Sequence, residues 1–213
     1  MKGVIFDLDG VLVSTDELHY NAWKKLADEI GITGFCREDN ARQRGVSRMA
    51  SLEVVLEKGE KEYSQEEKEA LAEKKNQYYI EMLQKLDENA ILPGAIETLH
   101  MLREKGILTA VGSASKNAPL ILEKTGMLPL IDKISCGIDV TKSKPDPEVF
   151  LVAASKLNLD PKDCLVVEDA KAGIEAAKAG GMKSLAVGPI HEQLGADYHS
   201  RTLATVNNWE EIL

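Results

Sequence analysis

The second half of the chain alternates between short apolar runs and helical patterns, and this alternation constrains the fold more than any other feature. The apolar runs, which predict strands, lie near 107–112, 133–136, 164–168 and 183–187. The helical patterns lie near 94–105, 117–125, 147–157 and 170–179. Strands that alternate with helices over short links typically form a parallel sheet with helices on both faces. We therefore predict an α/β fold with a doubly wound parallel sheet.

One further strand is predicted at the start of the chain, and a purely helical block separates it from the others. Residues 2–6 are a short apolar run that ends at an acidic, glycine-bearing turn, as expected for a buried parallel strand. The helical patterns that follow lie at about 16–30, 37–44, 47–58 and 64–87. Ser64 and Glu67 form a capping-box signature at the start of the last one.

This arrangement predicts two domains that share one chain. The core is predicted at residues 1–14 and 92–213, and an all-helical cap domain at 15–91. The linkers are expected near 13–16 and 89–94, where Pro93 interrupts the pattern. The core is expected to be Rossmann-like, with the cap inserted directly after its first strand.

Composition excludes several classes of protein. The chain has 213 residues, of which 44% are hydrophobic, and a net charge of -9, so a disordered chain is excluded. The acidic balance argues against a nucleic-acid partner, and no apolar run approaches the roughly 20 residues of a membrane helix. Three widely spaced cysteines without a CxxC pair are expected to be reduced thiols of a cytoplasmic protein. A monomer is expected because the predicted fold is self-contained.

Residues able to do chemistry follow the predicted strands. They are Asp7 and Asp9 after the first strand, Ser113 after 107–112, Lys144 beyond 133–136, and Glu168 and Asp169 at the end of 164–168. Ligands of open parallel sheets bind at the carboxyl ends of the strands. We therefore expect these side chains to converge on one edge of the sheet.

The chemistry of this set favours a magnesium-dependent phosphoryl transfer. Four carboxylates in one cleft repel each other unless a cation is present, and Mg²⁺ suits a few carboxylates together with a substrate phosphate. Ser113 and Lys144 supply a hydrogen-bond donor and a positive charge for a phosphoryl group. One aspartate is then able to attack phosphorus, and the acid two residues away can handle the proton of the other oxygen.

The same motifs resemble those of the haloacid dehalogenase superfamily. They are DLDGV at 7–11, Ser113 after a strand, Lys144-Pro145, and the acidic pair at 168–169. Within that superfamily the chain is similar to the β-phosphoglucomutase family. The further matches are Thr15, His19 and Trp23, then Gly45-Val46-Ser47-Arg48 with Ser51-Leu52, and Ser113-Ala114-Ser115-Lys116-Asn117.

The resemblance implies catalytic and metal-binding roles. Asp7 is implied to be the nucleophile that becomes phosphorylated and Asp9 the general acid and base, with Thr15 and His19 positioning Asp9. The other implied assignments are Ser113 and Lys144 for the transferring phosphoryl group, and Asp7, the Asp9 backbone carbonyl and Asp169 for Mg²⁺, with Glu168 binding directly or through water.

Substrate-binding roles are also implied by the resemblance. Arg48 is implied to clamp the distal phosphate, since a guanidinium binds phosphate in a bidentate manner. The remaining implied substrate contacts are Asp9, Gly45, Val46, Ser51, Ser115, Lys116 and Asn117. Two departures from the family pattern are Ser14 in place of Asp and Ala170 in place of Ser.

The implied activity is that of an isomerase of carbohydrate metabolism. It interconverts β-D-glucose 1-phosphate and glucose 6-phosphate through an aspartyl phosphate and β-glucose 1,6-bisphosphate, with small sugar phosphates as its only partners. A sugar-phosphate phosphatase of the same superfamily is the alternative, and a non-catalytic binding protein is a second one.

Structural roles remain open for several of these residues. Ser115 and Asn117 also suit a loop and a helix cap, and His19 also suits a packed, hydrogen-bonded position. Trp23 is expected to serve in packing. The other histidines, which are His100, His191 and His199, have no ligand partner at motif spacing and are expected to be incidental.

Overall fold

A six-stranded parallel sheet forms the centre of the computed structural model, which describes all 213 residues. The strands are β1 (Gly3–Phe6), β2 (Leu108–Gly112), β3 (Lys133–Ser135), β4 (Cys164–Glu168), β5 (Lys183–Ala186) and β6 (Tyr198–His199). Their order is β3-β2-β1-β4-β5-β6, and every neighbouring pair is parallel. The predicted parallel sheet is confirmed, and its first strand lies in the middle of it.

Nine α-helices surround or extend from this sheet. They are α1 (Asp16–Glu29), α2 (Arg37–Ala41), α3 (Arg48–Leu56), α4 (Gln65–Leu83), α5 (Ala95–Glu104), α6 (Ala118–Lys124), α7 (Glu148–Lys156), α8 (Lys171–Ala179) and α9 (Trp209–Ile212). None of them combines the length and the apolar character that crossing a bilayer requires.

The side chains of β1 alternate between two hydrophobic clusters, one on each face of the sheet. Val4 and Phe6 belong to the larger cluster, which includes residues of α5 and α6. Ile5 belongs to a second cluster built with residues of α7 and α8. All three side chains are fully buried, and each such burial contributes roughly 1.5–3 kcal/mol to stability. Burial on both faces explains why this strand is a continuous apolar run.

Residues 15–91, here called the helical insertion, contain α1 to α4 and no strand. Trp23 and Leu26 of α1 pack with Leu52 of α3 in a separate hydrophobic cluster. The insertion also contributes Tyr79 and Leu83 to the larger cluster of the sheet. The helical insertion therefore packs partly in its own hydrophobic cluster and partly in the larger cluster of the sheet.

The two linkers of the helical insertion pair with each other. The amide of Ser14 donates to the Ala90 carbonyl at 2.8 Å, and the amide of Leu92 donates to the Leu12 carbonyl at 2.9 Å. Val13 and Ile91 lie opposite each other in an antiparallel bridge. The chain therefore leaves and re-enters the core side by side, close to the end of β1.

The predicted bounds of most helices and strands agree with the observed ones to within a few residues. The differences occur at short elements and at the ends of elements. The capping box of α4 is confirmed, since Ser64 and Glu67 exchange hydrogen bonds of 3.2 and 2.8 Å. The helix predicted at 37–44 ends earlier, at Ala41, because the chain turns there toward Gly45, which has a φ of 72°. β6 and α9, which have two and four residues, were not predicted because they are too short to show a periodicity.

Gly94 joins the helical insertion to α5, and its replacement tests this connection. Gly94 has a φ of 87°, and a Cβ there would lie 2.5 Å from Ala204 Cα and closer still to the Ala204 amide nitrogen. We expect Gly94→Ala to lower the free energy of unfolding by about 3 kcal/mol, through left-handed strain and displaced backbone. Thermal unfolding should show a fall in Tm of roughly 6–12 °C.

Gly106→Ala is the matched control for this substitution. Gly106 also has a positive φ, of 69°, but a Cβ there meets no atom within 4 Å. We expect it to cost only about 1 kcal/mol. Equal losses of stability in the two variants would contradict the proposed clash at Gly94.

Candidate active site

A cavity of about 1050 Å³ lies between the carboxyl edge of the sheet and the helical insertion. Most of the predicted site residues line it: Asp7, Asp9, His19, Gly45, Val46, Arg48, Ser51, Ser113, Ser115, Lys116, Asn117, Lys144 and Asp169. Thr15 and Glu168 do not line the cavity but contact residues that do. The predicted convergence of these residues on one edge of the sheet is therefore observed.

Lys144 forms a buried ion-pair network with two acids at the ends of β1 and β4. Its Nζ lies 2.6 Å from Asp7 Oδ1 and 2.8 Å from Glu168 Oε1, and the lysine is only 2% exposed. Burial by itself lowers the pKa of Lys144, but the two carboxylates outweigh it and raise that pKa above its usual value. The two carboxylates therefore favour the charged form of Lys144 beside Asp7.

Each carboxylate oxygen of Glu168 accepts one hydrogen bond from the protein. Its Oε1 accepts from Lys144, and its Oε2 accepts from the Ala170 amide at 2.7 Å. The side chain lies so close to α8 that a Cβ on Gly173 would be 2.5 Å from Glu168 Cγ. These contacts hold the carboxylate in one position between Lys144 and the start of α8.

Asp169 approaches the turn that follows β1. A Cβ on Gly10 would lie 2.6 Å from Asp169 Cγ, and the φ of Gly10 is 87°, so glycine is required there. Burial raises the pKa of Asp169 well above its usual value, and the negative charges of Glu168 and Asp7 raise it further.

The residues Asp7, Glu168 and Asp169 fit a divalent cation. Each offers one carboxylate oxygen, and these oxygens lie within 4.8 Å of one another. The pKa of Asp7 is raised to about 7, chiefly by burial, with Lys144 opposing the shift and Glu168 adding to it. Three clustered acids with one lysine leave excess negative charge that a hard cation would neutralise, and oxygen-only donors suit Mg²⁺.

Asp9 lies two residues beyond Asp7 and contacts the helical insertion. The Thr15 hydroxyl, immediately before α1, donates a hydrogen bond to Asp9 Oδ1. Burial raises the pKa of Asp9, while the Thr15 hydrogen bond and the charge of Lys144 oppose the shift. The contact fixes the orientation of Asp9 from the side of the insertion.

The loop after β2 is ordered by its own side chains. The Ser113 hydroxyl accepts from the Ser115 amide at 3.0 Å, and the Ser115 hydroxyl accepts from the Asn117 amide at 3.2 Å. Asn117 in turn donates to Asn76 of α4 at 2.9 Å. The loop thus presents Ser113 to the cavity and also contacts the helical insertion.

Arg48 and its neighbours line the cavity from the side of the insertion. Arg48 is the first residue of α3, and its guanidinium lies 3.1 Å from Glu73. A Cβ on Gly45 would lie 3.3 Å from the Ala170 side chain, next to Asp169. Ser51 is buried on α3, and its carbonyl accepts from Gln43 at 2.8 Å.

Lys75 was not predicted from the sequence, but it lies in the cavity wall beside His19. Its Nζ is 3.0 Å from His19 Nδ1 and lies over the rings of Trp23 and Tyr79. Burial lowers the pKa of Lys75 to about 7, and nearby Arg48 adds to the shift. No local signal distinguishes this lysine, because it belongs to a charge-rich helix whose other lysines are exposed or half-buried.

His19 itself is stacked and desolvated. Its ring packs on Tyr79 with 4.1 Å between centroids. Burial lowers the pKa of His19 well below its usual value, and the positive charge of Lys75 lowers it further. Both effects favour the neutral form of the imidazole. His19 is packed and also lines the cavity, so its position is compatible with both roles that the sequence left open.

Comparisons with known proteins identify relatives that cover nearly the whole chain. The profile of the haloacid dehalogenase-like hydrolases matches residues 1–181. The β-phosphoglucomutase of Bacillus subtilis (strain 168) is 44% identical over 202 residues, covering 92% of this chain and 88% of that protein. A phosphorylated carbohydrates phosphatase of Thermotoga maritima is 31% identical and covers 90% and 86%.

The solved structures include a similar protein as well. The crystal structure of β-phosphoglucomutase from Clostridium difficile superimposes with a TM-score of 0.93 at 38% identity, covering 100% of this chain and 95% of that one. The family profile matches most of the chain, and the fold is similar from end to end. These two findings classify the protein. The chain belongs to the haloacid dehalogenase-like hydrolase family.

Proposed function

We propose that this protein is a magnesium-dependent β-phosphoglucomutase that interconverts β-D-glucose 1-phosphate and glucose 6-phosphate. The observation that carries the proposal is the enclosure of Asp7 and Asp9 in one cavity that Arg48 of the helical insertion also lines. A phosphoryl-transfer centre and a separate cationic group suit a sugar that carries two phosphates. The 44% identity to a β-phosphoglucomutase supports the same assignment.

Asp7 is the proposed nucleophile. Its carboxylate attacks phosphorus, so a bond forms between an Asp7 oxygen and phosphorus while the bond from phosphorus to the sugar oxygen breaks. Lys144, 2.6 Å from Asp7 Oδ1, holds the carboxylate in place and offers positive charge to the phosphoryl oxygens. When Mg²⁺ is bound by Asp7 and Asp169, its charge offsets the negative charge that gathers on those oxygens.

Asp9 is the proposed general acid and base. A raised pKa favours the protonated carboxyl, which can donate its proton to the departing sugar oxygen. In the half-reaction that forms the sugar bisphosphate, the same group takes the proton of the sugar hydroxyl that attacks the phosphorus of the aspartyl phosphate. After the bisphosphate turns around, Asp9 returns this proton to the other sugar oxygen as the bond from that oxygen to phosphorus breaks. The Thr15 hydrogen bond orients Asp9 for both steps.

The proposed role of the helical insertion, residues 15–91, is to act as a cap that excludes water from the aspartyl phosphate. A 1000-fold preference for a sugar hydroxyl over water corresponds to about 4 kcal/mol of barrier difference. Closure that requires bound sugar phosphate is one way to supply this difference. Contacts between cap and core, such as Asn117 with Asn76, suit a closed arrangement.

A sugar-phosphate phosphatase is the second candidate function, and the 31% identity to a phosphatase of phosphorylated carbohydrates favours it. The two functions share the same acids and the same lysine. They differ in whether water or a second sugar oxygen accepts the phosphoryl group. The fate of the phosphate therefore separates them.

A product assay tests the proposed function. The protein is incubated with β-glucose 1-phosphate, Mg²⁺ and a trace of β-glucose 1,6-bisphosphate, and glucose 6-phosphate and free phosphate are measured in the same sample. We expect glucose 6-phosphate to account for nearly all of the product, with no turnover of the α-anomer. Release of free phosphate without glucose 6-phosphate would instead identify a phosphatase.

Replacement of Arg48 tests the proposed binding of the distal phosphate. Loss of one charged hydrogen-bonded contact costs about 1.5–3 kcal/mol, so Arg48→Ala should lower kcat/KM by roughly 10- to 150-fold. We expect Mg²⁺ affinity, measured by calorimetry, to remain unchanged because Arg48 is not among the clustered carboxylates or their partners.

Arg42→Ala is the matched control for Arg48→Ala. Arg42 also belongs to the helical insertion, but it is half-exposed and pairs with Glu57 at 2.8 Å outside the cavity. Its replacement should leave kcat/KM within about twofold, since exposed ion pairs contribute little. If Arg48→Ala weakens Mg²⁺ binding as much as catalysis, Arg48 does not serve as a phosphate clamp.

A further inference from the structure

A second group of metal-ligating side chains lies after β5, outside the active site. It consists of His191, Glu192 and His199, each of which offers one donor atom within 4.8 Å of the others. Sequence spacing does not connect them, because six residues lie between Glu192 and His199 and neither histidine has a partner at motif spacing. From the sequence both histidines are expected to be incidental, but the fold places them next to each other.

The fold brings the two histidines together through the edge of the sheet. His199 lies on β6 in register with Ala186 of β5, and the next amide, from Ser200, donates to the Ala186 carbonyl at 2.9 Å. His191 begins a 3₁₀ turn at His191–Gln193. The two imidazole rings stack with 5.4 Å between centroids and 26° between planes, so the backbone holds both rings at one place.

His191 carries an unsatisfied nitrogen. Its Nδ1 is buried and has no hydrogen-bond partner, although buried polar side-chain atoms nearly always have one. A buried imidazole nitrogen in this position needs a hydrogen-bond partner or a metal ion. Glu192 and His199 are exposed, so their side chains are free to rotate toward a ligand that His191 also reaches.

The donor set indicates which ion fits. Two imidazole nitrogens and one carboxylate match the three-ligand sites of Zn²⁺, which complete a tetrahedron with water. Mg²⁺, by contrast, prefers oxygen donors alone. Tetrahedral coordination at the usual Zn²⁺ ligand distances places donors about 3.3 Å apart, so a modest rotation of the two exposed side chains would close the site.

We propose that His191, Glu192 and His199 form a Zn²⁺ site that is distinct from the carboxylate cluster of Asp7, Glu168 and Asp169. Bound Zn²⁺ ties the two-residue strand β6 to the 3₁₀ turn after β5. The chain that flanks this site on either side reaches the active-site cavity, since Gly188 and Arg201 line the cavity and the Gly188 amide donates to the Arg201 carbonyl at 3.0 Å. The ion therefore stabilises one wall of the cavity from outside.

Histidine NMR tests this proposal directly, because the chain has only four histidines. Zn²⁺ is titrated into the full-length protein in the presence of saturating Mg²⁺, and the imidazole nitrogen resonances of each histidine are followed. We expect His191 and His199 to shift together and to saturate at one equivalent, with His100 unchanged. The absence of shifts at His191 and His199 would overturn the proposal.

Two variants and a stability measurement complete the test. His199→Gln should abolish the Zn²⁺-induced shift of His191 and weaken Zn²⁺ binding at this site by at least about tenfold. His100 lies on the exposed face of α5, so His100→Gln should change neither the shift nor the affinity. Zn²⁺ at 100 times its Kd should raise the Tm of the wild-type protein about 5 °C more than that of His199→Gln. An unaltered His191 shift in His199→Gln, or equal Tm gains in both proteins, would contradict a shared ion.

Discussion

The buried contact between Lys144 and two carboxylates is the interaction on which the rest of the active site depends. Asp7 and Glu168 come from neighbouring strands, and Lys144 joins them with distances of 2.6 and 2.8 Å. The side chains of Lys144 and Glu168 are fully buried, and removing one partner of such a network leaves an uncompensated charge. The positions of both acids are therefore coupled to that lysine.

The same network does not neutralise the site. Asp169 adds a third carboxylate to Asp7 and Glu168, and only one lysine balances them. The raised pKa values of Asp7 and Asp169 are the consequence of burial and of this excess negative charge. A site built in this way is poised to bind a hard cation and, through it, a phosphate. Charge balance thus connects the fold of the sheet edge to the proposed chemistry.

Contacts between the helical insertion and the core converge on the reacting groups. Thr15 reaches Asp9, Asn76 reaches Asn117, and Gly45 approaches Ala170 beside Asp169. Each contact joins one segment of the insertion to the loop after a different strand. The orientation of the proposed acid and base is therefore sensitive to the position of the insertion, which is what a cap that responds to substrate requires.

The sequence was sufficient to predict the parts of the site that follow directly from strand ends. Asp7, Ser113 and Glu168 each sit at or next to the last residue of a buried strand, so the rule that strand ends share one edge located all three. The β-branched and apolar runs predicted the bounds of the central strands to within one or two residues. Here local pattern and tertiary packing impose the same structure.

Other features depend on contacts that no local pattern reveals. The pKa of Lys75 is lowered because α4 packs against α1 and buries the lysine among aromatic rings. His191 and His199 meet only because β6 adds to the edge of the sheet, and a two-residue strand leaves no periodicity in the sequence. Both cases require knowledge of which elements are neighbours in space.

The most direct test of the account is to locate the phosphoryl group on the enzyme. The protein is mixed with β-glucose 1,6-bisphosphate and Mg²⁺, quenched in acid, digested and mapped by mass spectrometry. The account predicts one phosphoryl group on the peptide that contains Asp7, and none when Asp7→Asn is treated in the same way. A phosphoryl group on Ser113, or full turnover by Asp7→Asn without any covalent adduct, would contradict it.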